Sequence, residues 1–310
     1  MTAEIIVKVT RDKSLSERRS TGRQLPHNLN QAEEGRRTYT ADMKTFLEEF
    51  AWKHLQWTYA HPQVFFLPQW QNDTTIDLFY LVYRTLYWCY FWMVTYFYIR
   101  ISWNSPVWIK LNAFYYYTFW VYTACSLWAT LSLVTVTAKY IQQINSEEIN
   151  DVEHRRWYQI QLLINSASMD SALAMAIGYW TLVYLYQRVA YGVGASLLHL
   201  WTPLLALADF MITSMPVKLL HVYPSLILAV AYGVFSFCHY LSGSKSIFGE
   251  PYLYQILDYR KPLTAISGLV AILVYIVLGR FVVYWLYRLR KTKCVSAKKQ
   301  VEGSPGLNSS

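Results

Sequence analysis

The chain has 310 residues, of which 54% are hydrophobic and 17% aromatic, and only 15% are charged, against roughly 25% in an average globular protein. The formal net charge of +9 invites a nucleic-acid partner. No zinc-finger spacing, basic helix or aromatic–glycine RNA-binding signature accompanies it, so nucleic acid is excluded and the lipid bilayer is the expected partner.

The charges crowd the two ends and leave a long apolar middle. Continuous apolar runs suit membrane helices, and the alternation of a β-barrel is missing. The fold class is therefore all-α, a polytopic membrane helix bundle.

In chain order, residues 1–62 read as a polar, disordered cytoplasmic tail. No apolar stretch follows a short basic start, so no cleavable signal peptide is expected. Within this tail, residues 40–55 place Met43, Phe46, Leu47, Phe50 and Ala51 at a helical period, which predicts an interfacial helix. A span needs about 20 apolar residues. Six runs qualify, at 77–99, 111–138, 170–186, 192–215, 220–241 and 263–286, within a transmembrane domain covering 63–288. Tyrosines and tryptophans crowd many of their ends, as interfacial belts do. Residues 289–310 read as a basic, disordered cytoplasmic tail.

Lysine and arginine set the orientation. Arg288, Arg290, Lys291, Lys293, Lys298 and Lys299 follow the last span, and Lys139, Arg155 and Arg156 flank the second loop. An even number of spans puts both termini on one side, here the cytoplasm of the plasma membrane or endoplasmic reticulum. Lys245, Arg260 and Lys261, in a loop that then faces outward, run against the rule. The sequon Asn72-Asp73-Thr74 faces the cytoplasm in this topology and stays unmodified.

Cys89, Cys125 and Cys238 lie within spans as small apolar fillers. Cys294, beyond the basic run, reads as a free cytosolic thiol ahead of a palmitoylation site. Nothing in the pattern calls for a metal or cofactor.

Ionisable groups at membrane depth are functional candidates by default. Arg84 is expected first to snorkel toward headgroups, and second to pair with Asp209 or Asp170. Asp170, at the edge of its span, reads as interfacial. Asp209 follows His199 by ten residues, about 15 Å along a helix. The two cannot touch, so Asp209 needs a partner from another helix. His199 falls in the outer leaflet, and the topology brings Asn112, Thr118 and His239 to the same layer. A histidine beside a threonine hydroxyl is the minimum for nucleophilic catalysis. The competing reading is a set of polar groups joining helices. A transporter has only Arg84 and Asp209 to line a path and shows no broken-helix repeat.

The segments QWQNDTTIDLFYLVYRTLYW (69–88), GYWTLVYLY (178–186), SMPVKLLHVYPSLILAVAYGVFSFCHYLSG (214–243) and EPYLYQILDYRKP (250–262) resemble the rolling stone family of multipass membrane proteins. That likeness implies an integral membrane protein of undefined biochemical activity, acting in cell–cell fusion or membrane organisation. The order of segments also looks like the androgen-induced family of membrane hydrolases, which cleave fatty acid esters of hydroxy fatty acids with an intramembrane threonine and histidine. This second likeness implies His199 as base, Asp209 as the acid that follows it, and His239 as the histidine before Pro251-Tyr252-Leu253. Its threonine position holds Asn112, whose amide cannot become a nucleophile. Thr118, six residues on, is the replacement, ahead of Thr123, with Asn112 or His239 left to orient the substrate or bind an oxyanion.

Overall fold

The computed structural model describes residues 48, 50–51, 55–57, 59, 61–71, 75–103, 113–145, 155–185, 192–246 and 249–302, with the backbone alone at 101–103, 113 and 291–302. Asn72, Asn112, the side chain of Cys294 and most of the expected helix at 40–55 lie outside the described residues. The chain divides into two units, Met1–Ala51 and Trp52–Ser310. In the first, the described residues form a turn in which the Ala51 N–H donates to the Glu48 carbonyl at 3.1 Å.

Among the described residues, six long helices build the second unit. They are α1 (Leu78–Trp103), α2 (Tyr117–Ile144), α3 (Arg155–Gly178), α4 (Val193–Ile212), α5 (Tyr223–Leu241) and α6 (Pro262–Glu302). The central helix is α3, packed against α2, α4, α5 and α6, while α1 packs on α2. Five of these helical runs are long and apolar enough to cross a membrane. The remaining one, α1, has 26 residues, about 39 Å of rise, but tyrosine, tryptophan, Arg84 and Arg100 dilute its hydropathy.

The outer faces are apolar. On α6, Leu263, Ile266, Val270, Val274, Leu278, Val282, Trp285 and Leu289 are all exposed, and their spacing of three and four residues draws one continuous stripe. On α1, Leu78, Phe79, Val82, Leu86, Met93 and Phe97 are exposed as well. A water-soluble monomer rarely shows apolar surface on this scale. The chain is an integral membrane protein.

Two boundaries differ from expectation for a physical reason. Helix α3 starts at Arg155, not near 170, because the segment 155–169 hides its polar groups inside the bundle. Gln161 Nε2 donates to Thr135 Oγ1 at 2.5 Å, and Trp157 Nε1 donates to the same hydroxyl at 2.9 Å. Held through its Nε2, Gln161 no longer bars a span although it breaks the apolar run, and Arg155 and Arg156 lie exposed at the helix start. Helix α6 continues to Glu302, through part of the segment expected to be a disordered tail, since its Arg and Lys residues are good helix formers.

The segment before α1 is also not a loose tail. Pro62–Phe65 forms a 3₁₀ turn with proline at its start, where the missing N–H costs nothing. Phe65, Phe66 and Leu67 are buried, with Phe65 stacked on Tyr158 at 4.5 Å. Further along, the Gln69 N–H donates to the Ile212 carbonyl at 2.9 Å, and Pro68 pairs with Thr213. The Trp57 ring packs against His221 at 3.9 Å with a tilt of 38°, and Lys218 Nζ donates to the Gln56 carbonyl at 3.0 Å. The segment thus straps the end of the bundle where α4 stops and α5 begins.

Candidate functional site

Among the described residues, four of the buried charges form two ion pairs. Arg84 Nη1 donates to Asp209 Oδ1 at 2.6 Å, with both side chains shielded from solvent. Tyr83 Oη donates to the same oxygen at 2.9 Å, and Trp128 Nε1 to Oδ2 at 2.9 Å. The rest of the guanidinium is held by Tyr80 Oη, at 3.1 Å from Nε and 2.8 Å from Nη2. Arg84 therefore does not snorkel. Its charge turns inward because a carboxylate with three donors compensates it there, and the pair joins α1, α2 and α4.

Asp170 sits mid-helix, not at an interface. Arg280 Nη2 donates to its Oδ2 at 2.6 Å and to the His221 carbonyl at 2.8 Å. Ser225 Oγ completes the cluster at 3.0 Å from Asp170 Oδ2. This second pair joins α3, α5 and α6. Sequence reasoning singled out neither Arg280 nor Ser225. The signal was available for Arg280, a cation within an otherwise apolar run.

At the opposite end from the strap, a cavity of about 270 Å³ opens between the start of α2, the end of α3, α4 and the α5–α6 loop. Thr118, Tyr179, His199, Tyr254 and Leu257 contribute to its wall. The structure thus brings Thr118 and His199 to one cavity. His239 lies outside it, with its ring 5.3 Å from Tyr115 and both nitrogens buried without a hydrogen-bond partner among the described residues. Arg84 and Asp209 are consumed by their own pair and line no part of it. Thr123 is exposed and donates to the Phe119 carbonyl at 2.8 Å.

Helix geometry presents the histidine. The run Tyr179–Leu185 at the end of α3 and the run Leu197–Trp201 within α4 are both π-helical. Where they meet, the Tyr179 and His199 rings stack at 3.8 Å with an interplanar angle of 3°. His199 is buried, and its Nδ1 has no hydrogen-bond partner among the described residues. The Thr118 hydroxyl hydrogen-bonds Tyr254. Tyr179 and Tyr254 were not singled out from sequence, since each looks there like another belt aromatic.

The loop that closes the cavity is braced from outside. Arg260 donates to Asp258 through Nε at 2.8 Å and Nη2 at 3.0 Å, which holds the Asp258 carboxyl below its ordinary range. Burial pushes the Tyr254 phenol upward, against its bonds with Thr118 and Tyr117. Among the described residues no group of three or more His, Cys, Asp and Glu is placed to hold a metal ion.

Long apolar-faced helices, pinned by two buried ion pairs, define a multi-pass integral membrane protein. A family model described as protein rolling stone matches residues 37–301, and the chain belongs to that family. It is similar to the protein rolling stone of Drosophila melanogaster, at 24% identity over 255 residues that cover 80% of this chain and 90% of the relative. No solved structure matches.

Proposed function

We propose that this rolling stone-family protein organises the membrane it spans, acting in cell–cell fusion at the plasma membrane with both termini in the cytoplasm. The observation that carries this reading is the use made of the buried charges: Arg84, Asp209, Asp170 and Arg280 pair with one another across the bundle. They serve helix association and not a reaction centre. Lys139, Arg155, Lys218 and Arg290 mark the strap end of the helices, in keeping with that end facing the cytoplasm. The test is content mixing between two dye-loaded cell populations, with and without the protein on both. Mixing that depends on the protein supports the reading, and mixing indifferent to it refutes it.

One observation favours a second reading, an intramembrane hydrolase of lipid esters: Thr118 and His199 line the same cavity. His199 serves there as base and Thr118 as nucleophile. A fluorophosphonate probe separates the readings. Labelling that disappears in Thr118→Ala and in His199→Ala establishes the enzyme, and folded protein that takes no label leaves the organising role.

A further inference from the structure

We propose that the cavity beside His199 is a binding site for a neutral lipid alcohol, with the hydrocarbon against the apolar wall and the hydroxyl on the edge of the His199 imidazole at Nε2. The proposal concerns binding and stands whether or not an ester is cleaved.

Size and lining come first. The cavity's volume of about 270 Å³ exceeds the roughly 150 Å³ of an apolar cavity that stays dry and takes up benzene. Its wall is mostly Ala, Met, Leu, Val, Ile and Tyr side chains. Water alone fills such a space poorly, because each buried water needs two to four polar partners.

The polar end is His199. Its Nδ1 is sealed within the protein, which leaves Nε2 as the ring nitrogen that a ligand in the cavity reaches, and a ligand hydroxyl there supplies the hydrogen bond that a polar group at the edge of an apolar cavity needs. Tyr179 covers one face of the ring at 3.8 Å, which directs a ligand to the ring edge. Both helices leave α geometry at this point, Tyr179 opening one π-helical run and His199 lying within the other. π-Helical turns are rare and recur at functional sites, and here two of them meet at one wall.

The headgroup class follows from charge and hydrogen-bond inventory. Among the described lining residues there is no Asp, Glu, Lys or Arg, so a carboxylate or phosphate in the cavity goes unpaired. A neutral imidazole nitrogen is donor or acceptor according to tautomer. A carbonyl suits only the donor form, whereas a hydroxyl suits both.

Photo-crosslinking of the purified full-length chain in detergent tests this. One probe is a fatty alcohol bearing a diazirine and an alkyne, and the other is the matching fatty acid at alkaline pH, with unlabelled hexadecanol as competitor. The expected result is competed labelling by the alcohol, on peptides from α3 and α4, with the acid about tenfold weaker. His199→Phe keeps the ring stack and removes the nitrogen, and should lower alcohol labelling about tenfold, the worth of one buried hydrogen bond. Ala174→Leu and Gly178→Leu add bulk at two residues of the cavity wall, the second where an added Cβ meets only Tyr275, at 3.9 Å, and together should abolish labelling with His199 intact. Equal labelling by alcohol and acid overturns the proposal. Wild-type labelling of His199→Phe or of the Ala174→Leu/Gly178→Leu variant, at an unchanged melting transition, overturns it too. Neither failure touches the fusion reading, which is decided by content mixing.

Discussion

Arg84 and Asp209, 125 residues apart in sequence, meet at 2.6 Å with both side chains enclosed by the bundle. Neither charge is tolerable there alone, and the hydroxyls and indole around them take up the remaining hydrogen bonds. Removing one partner of a buried pair typically costs about 3–5 kcal/mol. Asp209→Ala should lose that much in denaturant unfolding in detergent. The paired replacement Arg84→Met with Asp209→Leu should recover most of it, because no charge is then left stranded. A double variant as unstable as the single one would show that the pair carries more than mutual compensation.

A close approach lies beside the cavity. A Cβ added at Gly268 meets Ile256 Cγ1 at 2.6 Å and the Ile256 carbonyl oxygen at 3.0 Å. The side chain can turn away, but the backbone cannot without moving the Gln255–Leu257 turn. Gly268→Ala should cost about 1–3 kcal/mol, as overpacking does, and should loosen the loop carrying Tyr254. At Gly233 the added Cβ meets only Leu269 side-chain carbons, from 3.1 Å, so Gly233→Ala should cost less. Melting curves of the two variants compare them directly.

The Asp258–Arg260 contact predicts a defined acid response. Because the carboxyl's folded value lies below its ordinary range, its contribution is fully present above the unfolded value of about 3.9. It fades as pH falls through the lower folded value. Asp258→Asn should therefore be less stable than wild type by a constant amount from pH 7 to pH 5. The gap should close below about pH 4, and a gap that persists there would contradict the assignment.

Trp57 couples the strap to the bundle. Its ring packs, tilted, against His221, whose carbonyl accepts from Arg280, the partner of Asp170. Trp57→Ala should cost about 0.5–1.5 kcal/mol beyond its lost burial. A double-mutant cycle with His221→Ala should return a coupling of that size. Strict additivity would mean the ring contact contributes nothing of its own.

The bundle itself was legible in the sequence, because lipid imposes a one-dimensional constraint: an apolar run long enough to span is a helix wherever it packs. Five of six expected spans have their counterpart in helices apolar enough to cross, and α1 corresponds to the first. The Asp209–His199 separation was also settled early, since ten residues on one helix fix their distance. Three-dimensional contacts decided the rest. Whether Arg84 faces headgroups or a carboxylate depends on what α2 and α4 bring beside it. Asp170 looked interfacial only because the helix carrying it hides Gln161 against Thr135. The cavity needed the ends of three helices and a loop to meet, and neither π-helical run leaves a mark in residue spacing. Composition could place His199 at membrane depth, but only packing set Tyr179 against its face and left Nδ1 without a partner.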